Sequence, residues 1–341
     1  MASRQLGLFD KNPDCPFEGL FEDDDDRCYS LSGKNNYDEI SEDRPDLEEW
    51  LAEIGGVRFD NVTASNTPAI DLPSFLPTIP RGGKKLTFET DEKFFGITLR
   101  DVVSMKQLKV AVDIRATLGL APDTKLVLLA YGRDELIENI WPERWRIYEE
   151  LLKLNLDLIT SINYSIWLNQ NHCEHLINVK RNLLTFQEMQ SIGLPAIPSI
   201  YWYGHKDLDR WAKWLNDHPQ IKMAAINLQT LRTRKYWTAT VDDLTYFSKL
   251  LKSEIHFLID GPSTIGRIDQ IKEIFFMVTI TNKYCANMAA TGMELSHETG
   301  KILSHYSPVP RNIIFKKNTN LYGKLTGKGS NLNVPHQSVS I

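Results

Sequence analysis

Several apolar runs in this chain stop abruptly at residues that can carry chemistry. One ends at Asp260-Gly261-Pro262, and a carboxylate closing an otherwise apolar strand is partly desolvated, so its pKa rises toward the range of a general acid or base. The alternative for Asp260 is a turn cap through Gly261-Pro262. Other runs end at Tyr131-Gly132-Arg133-Asp134, Asn163-Tyr164-Ser165, Tyr201-Trp202-Tyr203-Gly204-His205, Asn227-Leu228-Gln229 and Asn282-Lys283. Amides such as Asn163, Asn227 and Gln229 can read the hydrogen-bonding edge of a base, and Tyr203 can stack on its face. Arg133 and Lys283 can hold phosphate, and His205 is either a further contact or a loop histidine ahead of a helix. Asp134 opens a helix and is expected to cap it. This mixture suits a nucleotide or a base better than a small acid, and Asp260 is the one catalytic candidate.

The elements that must position these groups alternate. Leu176, Val179, Leu183, Phe186 and Met189 recur at helical spacing until Gly193 and Pro195. Ala196 to Trp202 then reads as a buried strand, with Tyr201 and Trp202 on opposite faces, and Leu208, Trp211, Ala212 and Leu215 mark the next helix. Strands follow at Lys222 to Leu228, Ile255 to Ile259 and Phe275 to Ile280, each after a helix. Lys125 to Ala130 and Leu158 to Ile162 precede them; Phe94 to Thr98 reads as the first strand and Asn312 to Phe315 as the last. Such alternation is the pattern of βαβ units on a parallel sheet. No Gly-x-Gly-x-x-Gly turn follows a strand, so the expected fold is α/β, a (β/α)8-like barrel of the TIM type.

The net charge of -5 conceals a polarity along the chain. Residues 1–55 hold 16 acidic and 5 basic side chains, and residues 301–341 hold 6 basic and no acidic ones. The expected organisation is an acidic flexible leader over 1–55, a Pro-rich connector over 56–90, the barrel over 91–317, and a basic flexible tail over 318–341. Lys324 and Lys328 of that tail can follow a phosphate backbone, DNA being the expected partner. The Arg81-Gly82-Gly83-Lys84-Lys85 stretch is either a phosphate contact or an exposed turn. No apolar run spans a bilayer and no signal pattern opens the chain, so a cytoplasmic protein without a membrane partner is expected. Cys15, Cys28, Cys173 and Cys285 are too scattered for a disulfide framework or a zinc knuckle, and neither a metal nor a cofactor is expected.

Within the leader, Gln5-Leu6-Gly7-Leu8-Phe9 resembles the peptide by which many bacterial proteins dock on the replicative sliding clamp. The resemblance implies Leu8 and Phe9 as apolar anchors, Leu6 as a secondary contact and Gln5 as the polar hook. The alternative is that these residues pack on their own chain. Leu126 to Ile268 resembles an uncharacterised barrel family of bacterial phages and mobile elements. Its carriers are Ile197-Pro198-Ser199-Ile200-Tyr201-Trp202, Ser161-Ile162-Asn163-Tyr164-Ser165 and the strand Ala224 to Asn227. Asn163 stands where that family has an aspartate. A more distant likeness, in barrel order, is to the guanine transglycosylases, whose late strand bears a nucleophilic aspartate. The late strand here, Val278 to Lys283, has no carboxylate, so that chemistry would fall to Asp260. Two functions follow as expectations. One is a DNA-associated barrel, recruited to the clamp, that binds nucleic acid or nucleotide at its mouth without catalysis. The other is an enzyme acting on a base or an N-glycosidic bond.

Overall fold

A computed structural model describes residues 47–87, 90–166, 172–231 and 233–327. It is a mixed α/β fold on parallel strands. In chain order the elements are α1 (Leu47–Ile54), β1 (Phe75–Pro77), α2 (Lys84–Thr87), β2 (Phe94–Thr98), α3 (Leu99–Val102), α4 (Ile114–Leu118), β3 (Lys125–Leu129) and α5 (Asp134–Leu152). Then come β4 (Leu158–Thr160), α6 (His172–Ser191), β5 (Ala196–Ile197), β6 (Ser199–Ile200), α7 (His205–Asp217), β7 (Met223–Asn227), α8 (Arg234–Leu250), β8 (His256–Asp260), α9 (Ile265–Ile274) and β9 (Val278–Asn282). Last are α10 (Tyr284–Thr291), the hairpin β10 (Met293–Glu298) and β11 (Lys301–Tyr306), and α11 (Arg311–Thr326).

The parallel strands form two sheets, one of order β1-β9-β8-β7-β6 and one of order β2-β3-β4-β5. At one pair of edges Thr78 bridges to Gly96, and the Ile79 N–H donates to the Gly96 carbonyl at 2.9 Å. Gly96 is needed there, because a Cβ on it would lie 2.7 Å from Thr78 Oγ1. At the other pair of edges β5 and β6 are one run of chain interrupted at Pro198, which has no N–H to donate.

Side chains from both sheets meet in one apolar cluster: Leu76 of β1, Val127 and Leu129 of β3, Leu158 of β4, Ile197 of β5, Met223 and Ala225 of β7, and Leu258 of β8. The opposite faces, with Leu126, Leu128, Ala224, Ile226, Phe257 and Ile259, pack in the larger core with the helices. This two-residue alternation fixes what comes next. One step further along the inward rows stand Thr78, Tyr131, Thr160, Ser199, Asn227 and Asp260, so the shared interior turns from apolar to polar at the strands' C-terminal ends.

The chain ends depart from expectation. Residues 47–55 of the acidic leader form α1 and its closing turn, with Trp50, Leu51 and Ile54 buried. Residues 56–67 then run as a strap over α6 and α7: Trp214 Nε1 donates to the Val62 carbonyl at 3.0 Å, Gln220 Nε2 to that of Ala64 at 2.9 Å, and the Lys222 N–H to Thr67 Oγ1 at 2.9 Å. The Pro-rich connector holds the strand β1, which pairs with β9 from Phe75↔Ile280 to Pro77↔Asn282. Phe94 to Thr98 is therefore the second strand. Asn312 to Phe315 is helical, not a strand. Ile314, Asn318 and Tyr322 recur at i, i+4 and i+8 on α11, all buried, and a four-residue apolar run alone does not distinguish the two structures. Residues 318–326, expected in the basic tail, belong to α11. Tyr322 stacks on Phe75 at 4.9 Å between ring centroids, and its hydroxyl donates to the Ser263 carbonyl.

Candidate functional site at the strand ends

The polar tier is organised around Asp260, the last residue of β8 and 2 % exposed. Neither carboxylate oxygen completes a hydrogen bond, which is costly for a buried charge. Burial pushes its pKa up to about 7; the nearby Tyr131 hydroxyl and the positive charge of Lys283 pull in the other direction and lose. Tyr131 feels the same environment. Burial, then the Asp260 charge, hold its phenol far above the ordinary tyrosine range.

Tyr131 follows β3 and Gln229 follows β7, so they belong to different sheets, yet Gln229 Nε2 donates to the Tyr131 hydroxyl at 2.9 Å. Gln229 is held by the turn beneath it: Asn227 Oδ1 accepts the Gln229 N–H at 3.0 Å, and the Leu228 N–H donates to the Asp260 carbonyl at 2.7 Å. Gly261 makes room for this turn. Its φ is +117°, and a Cβ there would come within 2.6 Å of the Gln229 nitrogen. Gly261→Ala is therefore expected to cost about 2 kcal/mol or more and to displace the Asn227–Gln229 turn. Urea unfolding gives the first quantity and the amide chemical shifts of Leu228 and Gln229 the second; a neutral substitution would mean the loop yields freely.

On the other flank, Lys283 Nζ donates to Thr98 Oγ1 at 3.1 Å and lies 3.5 Å from Asp101 Oδ2. Asp101 also accepts from the Thr98 hydroxyl and N–H, closing a capping box on α3, and from the Arg81 N–H. Thr78 and Thr281 share a hydroxyl hydrogen bond of 2.6 Å. Asp260 is thus a buried carboxyl with the Tyr131 hydroxyl and the Lys283 cation close by, and Tyr131 in turn is bonded to Gln229 of the other sheet. Such a group can give or take a proton near neutrality.

The remaining sequence candidates are distributed elsewhere. His205, at the start of α7, sits 3.1 Å from Asp243 Oδ1 of α8 and stacks on Tyr246 at 4.1 Å. The same Asp243, buried, accepts Trp202 Nε1 at 2.9 Å. Tyr203 packs against His175 of α6 at 4.2 Å. Both belong to helix packing around α7, and the Asp260 group does not include them. Tyr201 and Trp202, expected on opposite faces of the strand, are both buried, as residues on either covered face would be. Arg133 is the exposed residue before α5 and gives no side-chain cap, and Asn163 is half-buried after β4 with its N–H on the Ala130 carbonyl at 3.1 Å. Asp134 does not cap α5. Its carboxylate accepts the Ser165 hydroxyl at 2.6 Å. Of the expected set, Asp260, Asn227, Gln229 and Lys283 gather in one place. Tyr131, Thr98 and Asp101 join them; Tyr131 could have been found as the inward residue after Leu129, but Thr98 and Asp101 read in the sequence only as a helix cap. Gln5, Leu6, Leu8, Phe9, Cys15, Cys28 and Lys328 lie outside the described residues.

No helix among the described residues is long and apolar enough to cross a membrane. No protein-family model matches the chain, and no curated protein matches it in sequence.

Proposed function

We propose that the two sheets work as one eight-stranded (β/α)8 barrel with Asp260 as the proton-carrying group at its mouth. Closure is supported by the Thr78–Gly96 bridge, by the continuity of β5 and β6 through Pro198, and by the apolar cluster common to both sheets. The similarity to phage and mobile-element barrels belongs to this reading too. The substrate we propose is a nucleic-acid base. Tyr131, Asn227 and Gln229 offer the hydroxyl and amides that match a base edge, and Lys283 offers the cation. Protonated Asp260 would donate to a ring nitrogen as the bond from that base to the sugar carbon breaks. Water then adds to the sugar carbon and its proton returns to the Asp260 carboxylate. Gln5, Leu6, Leu8 and Phe9 would bring the protein to the sliding clamp of a bacterial cytoplasm.

The observation that carries this reading is the buried Asp260 carboxyl, neither oxygen completing a hydrogen bond, with the Tyr131 hydroxyl and Lys283 beside it. One observation favours the alternative, a barrel that binds nucleic acid without catalysis: of the other carboxylates described at the strand ends, Asp101 is tied to Lys283 and Thr98, and Asp134 to Ser165. The test is release of free base from gapped circular DNA carrying the clamp. The enzyme reading expects release that falls about 10²-fold or more in Asp260→Asn while DNA binding persists. Binding without release supports the alternative, and neither result leaves both untenable. Recruitment is checked by pull-down on purified clamp, where Leu8→Ala with Phe9→Ala is expected to abolish capture; equal capture of both forms contradicts it.

A further inference from the structure

A cavity of about 400 Å³ opens between α11 and the start of β1. Its apolar wall is Phe75 with the Pro73 ring, and Gly323 leaves the helix side flat. Five polar side chains line it: Ser74, whose hydroxyl accepts from Thr326, and Glu92, Thr319, Asn320 and Lys324. Thr319 is 4 % exposed, and its hydroxyl has no hydrogen-bond partner. A buried hydroxyl is normally satisfied, and a ligand acceptor that turned the Thr319 side chain toward the cavity would relieve this one. Glu92 is half-buried, and desolvation with the neighbouring Asp91 raises its pKa against the partial relief of Lys316. Lys324 is exposed at the rim, two turns of α11 from Lys316, which pairs with Asp91 at 3.0 Å. The lining therefore presents one carboxylate, one ammonium, two hydroxyls and one amide above an aromatic and aliphatic wall. Its size is that of a small-ligand site.

We propose that this cavity binds a small zwitterion, a free amino acid, with its ammonium at Glu92, its carboxylate at Lys324 and Thr319, and its side chain against Phe75 and Pro73. A simple anion would be opposed by Glu92, and a simple cation by Lys324. Only a ligand carrying both charges satisfies the two together, and the apolar wall calls for a carbon side chain between them. The site stands apart from Asp260 and rests on none of that residue's chemistry.

Titration calorimetry of the full chain with each of the free amino acids tests the proposal. At least one is expected to bind with a Kd of about 1 mM or tighter, a value within reach of two charge-assisted contacts. Its carboxamide and its N-acetyl derivative, each lacking one charge, are expected to bind about tenfold more weakly. Glu92→Gln and Lys324→Gln, both at solvent-reached positions, should produce the same loss with an unchanged far-ultraviolet circular dichroism spectrum. Thr319→Val, which keeps the shape and removes the hydroxyl, should weaken binding as well. No heat from any amino acid, equal binding of the singly charged derivatives, or binding unmoved by the Glu92 and Lys324 variants would each overturn it.

Discussion

Asp260→Asn is expected to stabilise the protein above neutral pH. Burial raises the folded-state pKa of Asp260 from an ordinary 3.8 to about 7. Between those values the folded protein holds a proton that the unfolded chain has released, so stability falls as pH rises from about 4 to 7 and stays low above that. A shift of roughly three units at about 1.4 kcal/mol each sets the full cost near 4 kcal/mol, an upper value for a carboxyl beside Lys283. Below pH 4 both states are protonated and the penalty vanishes. The amide of asparagine has nearly the same shape and no charge, so the variant removes the penalty without opening a void. Urea unfolding at pH 4 and at pH 8 measures this. The difference between variant and parent should be small at pH 4 and should favour the variant by up to about 4 kcal/mol at pH 8. A site that loses function while gaining stability is one in which the charge is kept for chemistry.

Arg181→Ala carries the largest expected loss. Arg181, on α6, is 1 % exposed, with its guanidinium over Tyr164 at 3.7 Å, Trp141 at 4.4 Å and Trp50 at 5.5 Å. Its Nη2 pairs with Glu138 Oε2 at 2.8 Å and Nη1 donates to Asn178 Oδ1 at 3.1 Å. Three aromatic faces from α1, α5 and the β4 end converge on this one cation, so it joins α1, and through it the strap that follows, to the body of the fold. Truncation empties the cage and removes the Arg181–Glu138 ion pair, which together cost about 3–5 kcal/mol. Arg181→Lys should recover little, because an ammonium cannot stack flat on the rings and make a bidentate pair. Unfolding midpoints supply the stability change, and limited proteolysis near residues 55–66 should quicken as the strap loosens. A loss below about 1 kcal/mol would mean that the cage contributes packing alone.

Helices such as α6, α7 and α8 were legible because Leu176, Phe186, Trp211 and Phe247 recur at their period, and the strands β3, β7 and β8 because apolar runs stop sharply. Two things were hidden. The strand β1 is three residues long, ends in Pro77 and lies among prolines, where local pattern gives no sign of its pairing with β9. The polar residues of α6, His175, Asn178, Lys180 and Arg181, are all buried, Arg181 against Trp50 of α1 and Lys180 under Arg58 and Asn61 of the strap, and helical period alone does not show it. Lys180 shows the consequence. Its ammonium donates to the Arg58 carbonyl and to Asn61 Oδ1, and burial lowers its pKa to about 8. Periodicity reports which residues a helix turns inward, and a cover arriving from a distant segment leaves no trace in it. At the site the same limit applies. Asp260 was legible from the apolar run it ends, whereas its approach to Tyr131 depends on which strands face one another across the interior.

The most direct test of this account is a carbon-13 titration of the Asp260 carboxyl in full-length protein, assigned by comparison with Asp260→Asn. The account expects one aspartate signal with a midpoint near pH 7, absent from the variant. A midpoint near the ordinary value of 3.8 would show a solvated or partnered carboxylate and would contradict the role assigned to it.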